Sequence, residues 1–72
     1  MYIFFLKPRN ALPPNLIEKI VKKWNNYKYC KAEYEDNILC ISFESEFEMN
    51  IYEKELQEDI KKYALEQIRE EE

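Results

Sequence analysis

The sequence predicts an α+β domain: a three-stranded antiparallel sheet of order 1-3-2, with two helices packed on one of its faces. Three observations predict it. Tyr2 to Lys7 is a short apolar run rich in strand-forming residues. The stretch from Tyr27 to Met49 alternates apolar and polar residues on either side of Asp36-Asn37. Two further stretches, from Pro14 and from Asn50, repeat their apolar residues at helical spacing. The element order is β-α-β-β-α, read as a single domain over residues 1–72.

The first strand places Tyr2, Phe4 and Leu6 on one face and Ile3 and Phe5 on the other. Both faces are apolar, so either can point at the core. Pro8 to Pro14 is a loop, because its three prolines cannot donate to a ladder. The first helix runs from Pro14 to about Asn26. Pro13-Pro14 suits its start, since proline is pre-set for a first helical turn. Leu16, Ile17, Ile20, Val21 and Trp24 form one apolar stripe, with Lys19, Lys22 and Lys23 off it. Asn25-Asn26 is the expected stop, as Asn tolerates the left-handed conformation.

Tyr27 to Met49 is the expected hairpin. Asp36-Asn37 fits a two-residue turn in which Asp and Asn stand where glycine usually does. That turn sets the register: Glu35 with Ile38, Tyr34 with Leu39, Ala32 with Ile41, Cys30 with Phe43. Faces match only in this register. Cys30, Ala32, Tyr34, Leu39, Ile41, Phe43, Phe47 and Met49 point one way. Tyr29, Lys31, Glu33, Glu35, Ser42, Glu44, Glu46 and Glu48 point the other.

The second helix is expected from Asn50 to about Glu70, with Asn50 as N-cap and Glu53 completing a capping box. Tyr52, Leu56, Ile60, Tyr63, Ala64 and Ile68 make its buried stripe. The terminal Glu70-Glu71-Glu72 opposes the helix dipole and should fray. The right-handed crossover rule then sets the 1-3-2 order. The topology resembles the ferredoxin-like pattern lacking its last strand. That omission leaves the apolar first strand at an open edge, which invites pairing. A homodimer through the edge of the first strand is therefore expected, and small size favours it. A domain of this length buries only about 60% of its unfolded surface.

Composition excludes several function classes. The apolar content of 46% and aromatic content of 15% are too high for a disordered chain. There is no glycine, so no glycine-dependent phosphate loop or dinucleotide fingerprint exists. There is no histidine, and Cys30 and Cys40 by themselves cannot complete a zinc site. The two thiols fall on opposite faces of the hairpin, a poor geometry for a disulfide. Ser42 and Ser45 have no visible base beside them. No cofactor, metal site or enzymatic activity is expected. The longest apolar run is too short to span a bilayer, and a cytoplasmic location is expected.

Charge is drawn apart along the chain. Residues 1–32 hold seven Lys/Arg and one acid; residues 33–72 hold four Lys/Arg and fourteen acids; the net charge is −4. Such a distribution sets long-range fields and so selects partners. Tyr29, Glu33, Glu44, Glu46 and Glu48 are the expected partner-binding residues, an aromatic-acidic surface facing a protein with a basic surface. With the three glutamates alternating on one strand, the carboxylates stand about 6.7 Å apart, twice the strand rise. A row of that kind mimics nucleic-acid phosphates in a basic groove. In composition the chain resembles small acidic α+β inhibitors of phages and mobile elements, which implies an inhibitor but carries no residue across. The alternative is a nucleic-acid-binding module using Lys19, Lys22, Lys23, Lys28 and Lys31, where lysines meet phosphate and the interleaved tyrosines stack on bases. No membrane partner is expected.

Overall fold

The computed structural model describes residues 2–68. Six elements follow in the order β1 (Tyr2–Pro8), α1 (Pro14–Asn25), β2 (Cys30–Glu35), β3 (Ile38–Phe43), α2 (Glu46–Lys62) and β4 (Leu65–Ile68). All four strands form one antiparallel sheet of order β2-β3-β1-β4. The 1-3-2 adjacency is present, but the expected three-stranded sheet is corrected to four strands. The added strand supplies the last element of the β-α-β-β-α-β pattern.

The hairpin has the expected register, from Cys30 opposite Phe43 to Glu35 opposite Ile38. Asp36 and Asn37 both take positive φ, 52° and 63°. Two consecutive left-handed residues match the right-handed twist of the strands they join. The arms are shorter than expected. Tyr27 to Tyr29 precede β2, and β3 ends at Phe43.

The chain after Phe43 turns into α2 five residues earlier than the expected N-cap, Asn50. Ser45 is the N-cap, in extended conformation, and its hydroxyl donates to the Glu48 carboxylate. Ser45 and Glu48 have the Ser-x-x-Glu spacing of a capping box. Glu46 and Glu48 lie in the first turn, where the helix dipole favours negative charge. The row of Glu44, Glu46 and Glu48 on one strand therefore does not form.

At its other end α2 stops at Lys62, with Lys61 and Lys62 complementing the dipole in the last turn. Ala64 then takes φ 51°, and the chain reverses into β4. Phe5, Leu6, Lys7 and Pro8 pair with Ile68, Gln67, Glu66 and Leu65. The Arg9 amide donates to the Ala64 carbonyl at 3.0 Å. Tyr63, Ala64 and Ile68 fit a helical stripe by spacing, yet the unpaired edge of β1 draws this stretch into the sheet. Tertiary pairing overrides local preference here. The strand edge on which the expected homodimer rested is thus occupied, from Phe5 to Pro8, by the same chain. The acidic end Glu70-Glu71-Glu72 lies outside the described residues.

Pairing also decides the faces of β1. Tyr2, Phe4 and Leu6 lie opposite Phe43, Ile41 and Leu39, so they point inward; Ile3 and Phe5 point outward. Both helices cover the inner face. Trp24 and Ile20 of α1 and Leu56 of α2 are buried against Leu6, Ile41 and Phe43. Trp24 meets Tyr27, Phe43 and Tyr52 edge-on, at centroid distances of 5.4, 6.1 and 6.3 Å. Such contacts add to area burial.

The first helix ends at Asn25 as expected, but by a different device. Asn26 keeps a right-handed helical conformation, φ −75°. The left-handed residue comes later, at Tyr29, φ 67°. Asn25 instead turns its amide onto β2. Its Nδ2 donates to the Ala32 carbonyl at 2.9 Å, and the Ala32 amide donates to its Oδ1 at 2.8 Å. The β2 strand lies at the sheet edge, so this side chain fills the place of a neighbouring strand at its centre.

Candidate partner-binding surface

The ends of the sheet differ. β1 and β2 begin, and β3 passes into α2, at one end. Tyr2 and Tyr29 lie there and Phe47 and Ile51 follow in the first two turns of α2; they are 41, 51, 72 and 56% exposed, four of the five exposed large hydrophobic residues among those described. Glu44 and Glu46 stand among them, both exposed. The Tyr2 hydroxyl donates to Glu46 Oε2 at 3.4 Å, and the Glu44 amide donates to the Tyr29 carbonyl at 3.1 Å. An open concavity between Tyr29, Lys31, Ser42 and Glu44 has Phe43 and Cys30 at its floor. The Lys28 ammonium lies 5.5 Å from the centroid of the Tyr29 ring.

Four of the expected partner-binding residues, Tyr29, Glu44, Glu46 and Glu48, therefore meet at this end, although on a loop and a helix start instead of one strand. Glu48 is half-buried and engaged with Ser45. Glu33 stands apart, exposed midway along β2 on the helix-free face and paired with Cys40. Phe47, placed inward by strand alternation, is the most exposed of these hydrophobic residues. The helical reading of residues 46–49 would have found it, since Phe47 and Ile51 are four apart on one helix face.

The helix-free face carries Ile3 and Phe5 from β1, Ile38, Cys40 and Ser42 from β3, and Ile68 from β4. Lys31, Glu33 and Glu35 flank them on β2, with Lys7 and Glu66 on the far side. Tyr27 lies away from this face, between Trp24 and α2. It stacks on Tyr52 at 4.8 Å, and its hydroxyl donates to Glu55.

That contact belongs to a polar cluster that sequence reading missed. Asp59 is 5% exposed, the one buried charged residue among those described. It accepts from the Trp24 indole at 2.9 Å and from Lys23 Nζ at 3.0 Å, and Lys23 also reaches Glu55 at 3.2 Å. The Tyr27 hydrogen bond, helped by Lys23, outweighs burial and holds the Glu55 carboxyl below its usual range. Burial pulls the Lys23 ammonium down, but hydrogen bonds to Asp59 and Glu55 raise it on balance. Tyr27 is raised, first by its hydrogen bond to Glu55. The signal lay in Trp24, a buried indole that needs an acceptor, and in Asp59, three residues beyond the core Leu56 on the same helix face.

The five lysines of the alternative do not share one surface. Lys23 is held by Asp59 and Glu55. Lys19 and Lys22 line the outer side of α1, while Lys31 lies on the opposite, helix-free face of the sheet.

Cys30 faces the core and Cys40 the outer side, as alternation required. Burial pushes the Cys30 thiol up to about 11. Among the described residues no group of three or more Cys, Asp or Glu is placed to hold a metal ion. No helix among them is long and apolar enough to cross a membrane. Compared with known proteins, the chain matches no family model, no curated protein and no solved structure.

Proposed function

We propose that this chain is a non-catalytic protein-interaction module that docks a partner with a basic surface through the aromatic-acidic end of its sheet. One observation carries the reading. Tyr2 and Tyr29 at this end of the sheet, and Phe47 and Ile51 in the first two turns of α2, are all exposed, with Glu44 and Glu46 between them in the chain. Apolar patches rimmed by charge mark interaction sites, and aromatic residues dominate their energetics. The carboxylates select basic partners and speed encounter. Tyr29 also holds a left-handed conformation that is rare for a bulky side chain. Such strain persists where the surroundings impose it, often at functional sites.

The inhibitor form of this reading rests on a compact acidic end and no longer on a row of carboxylates. Glu44 and Glu46, flanked by rings, occupy a basic nucleic-acid groove at one point and do not trace its length. Separation of the lysines on two faces is why the nucleic-acid-binding alternative has less support.

Capture from the native host by the immobilised chain tests the proposal. The expected partner is basic, elutes with rising salt as exposed charge pairs are screened, and is lost from a Glu44→Lys, Glu46→Lys variant and from Phe47→Ser. A Glu53→Lys control on the outer side of α2 keeps it. If the target is a nucleic-acid groove, added nucleic acid displaces the chain. Capture unaffected by salt and by all of these substitutions would overturn the reading.

A further inference from the structure

We propose that the helix-free face of the sheet is a homodimer interface. Two copies meet there face to face about a two-fold axis that crosses the strands along the row Glu33, Cys40, Phe5 and Ile68. This interface borders the aromatic-acidic end at Lys31 and Ser42 and does not depend on its function.

β4 covers β1 from Phe5 to Pro8, and the Asn25 amide takes the outward hydrogen bonds of Ala32 at the middle of β2, which leaves the four-residue β4 as the other edge of the sheet. The helix-free face offers a broader surface than that short edge. Three rows of outward side chains cross it. The first holds Lys31, Ser42 and Ile3; the middle holds Glu33, Cys40, Phe5 and Ile68; the third holds Glu35 with Ile38 and Lys7 with Glu66. Apolar groups fill the centre and charges flank them, the anatomy of an interface core with a polar rim.

The charge pattern selects a second copy as the occupant. Lys31 and Glu35 sit two residues to either side of Glu33 on one strand. A two-fold axis through the middle row brings Lys31 of one copy over Glu35 of the other, and does so twice. The same operation lays Phe5, Cys40, Ile68 and Glu33 against their own counterparts, as an isologous contact requires, so a single Glu33–Glu33 contact at the rim stands against two Lys31–Glu35 pairs. The alternative axis, along the strands, would set Glu35 against Glu66 twice, with no Lys–Glu pair among the described residues to offset them. Described charges on this face nearly balance, Lys7 and Lys31 against Glu33, Glu35 and Glu66, so the acidity of the whole chain does not oppose contact here. A chain of 72 residues also gains from association, because so small a domain buries little surface unaided. In this dimer each aromatic-acidic end lies over the hairpin turn of the other copy, and the two ends face apart.

Sedimentation equilibrium with charge reversals tests the packing, with circular dichroism to confirm folding. The three charge variants change exposed residues only. The wild-type chain is expected to dimerise. Lys31→Glu alone and Glu35→Lys alone should each weaken the dimer about tenfold, as two attractive pairs become repulsive. The double variant should restore it. A short bis-maleimide should join two copies through Cys40, and Cys40→Ser should abolish the link. A monomer at all concentrations overturns the proposal. So does a dimer indifferent to both reversals, a double variant no tighter than the singles, or the absence of a Cys40 cross-link.

Discussion

The Trp24 indole donates to Asp59 Oδ2 at 2.9 Å, across the interface between α1 and α2. Both residues are buried, and Lys23 closes the carboxylate from the other side. The bond orients the largest side chain of the core, against which Phe43, Tyr27 and Tyr52 pack. It therefore ties helix packing to the placement of the aromatic cluster.

Replacing Asp59 tests that tie. Asp59→Ala leaves the indole without its acceptor and Lys23 without its nearest carboxylate, and should cost about 2–4 kcal/mol in urea denaturation. Asp59→Asn keeps an acceptor and should cost less. Equal stability of Asp59→Ala and the wild type would show that the bond contributes nothing.

Asn25→Ala should cost about 1 kcal/mol, the two hydrogen bonds to Ala32. It should also expose the middle of β2 to strand pairing, so light scattering at high concentration should rise. A variant that loses stability without gaining any tendency to associate would leave Asn25 as a helix stop only.

Ala64→Gly reads out the end of α2. In the left-handed conformation seen at φ 51°, glycine relieves a penalty of about 1 kcal/mol, so the variant should be more stable. Were residues 63–68 helical, the same change would destabilise by about 1 kcal/mol. The sign of the change decides between them.

Tyr29→Gly should separate stability from binding. The residue is half exposed and left-handed, so glycine should raise stability by up to about 1 kcal/mol while removing a ring from the aromatic-acidic end. Stabilisation together with weaker partner capture is the expected result. Loss of stability would mean the ring packs more than its exposure suggests.

Stability should fall at alkaline pH, beginning with Cys30. Its thiol is raised from 9.0 to about 11 by burial. A folded value above the unfolded one gives a contribution fully present below pH 9 and lost as pH rises through 11, since the unfolded thiol ionises first. The loss should reach roughly 2–3 kcal/mol. Tyr27 and Lys23, also raised, act in the same direction. Glu55 is lowered, so its contribution is present above its unfolded value and lost on acidification. Denaturation of the wild type and Cys30→Ala at pH 8 and pH 10.5 checks the thiol; parallel losses in both would exclude it.

Much of the architecture was legible because it depends on local periodicity. The turn at Asp36-Asn37, the register of β2 against β3 and the apolar stripe of α1 each follow from residues near one another in the chain. Junctions were less legible. Ser45-x-x-Glu48 and Asn50-x-x-Glu53 are both capping spacings, and residues 44–49 alternate as a strand would. Nothing local distinguishes them, and so Glu46, Phe47 and Glu48 were placed on the wrong element. The gathering of Tyr29, Glu44 and Glu46 nevertheless followed, because both readings bring the end of β3 beside the start of β2.

By itself the sequence determined which residues alternate, where the hairpin turns, and how charge divides between the two halves of the chain. Only the tertiary structure decided that residues 65–68 join the sheet, that Asp59 lies buried beneath Trp24, and that Asn25 guards the edge of β2. Each of these joins groups distant in the chain or opposes a local preference. The unfilled hydrogen bonds of β1, the indole N–H and the outward amide of Ala32 found their partners only once the fold had brought those partners near.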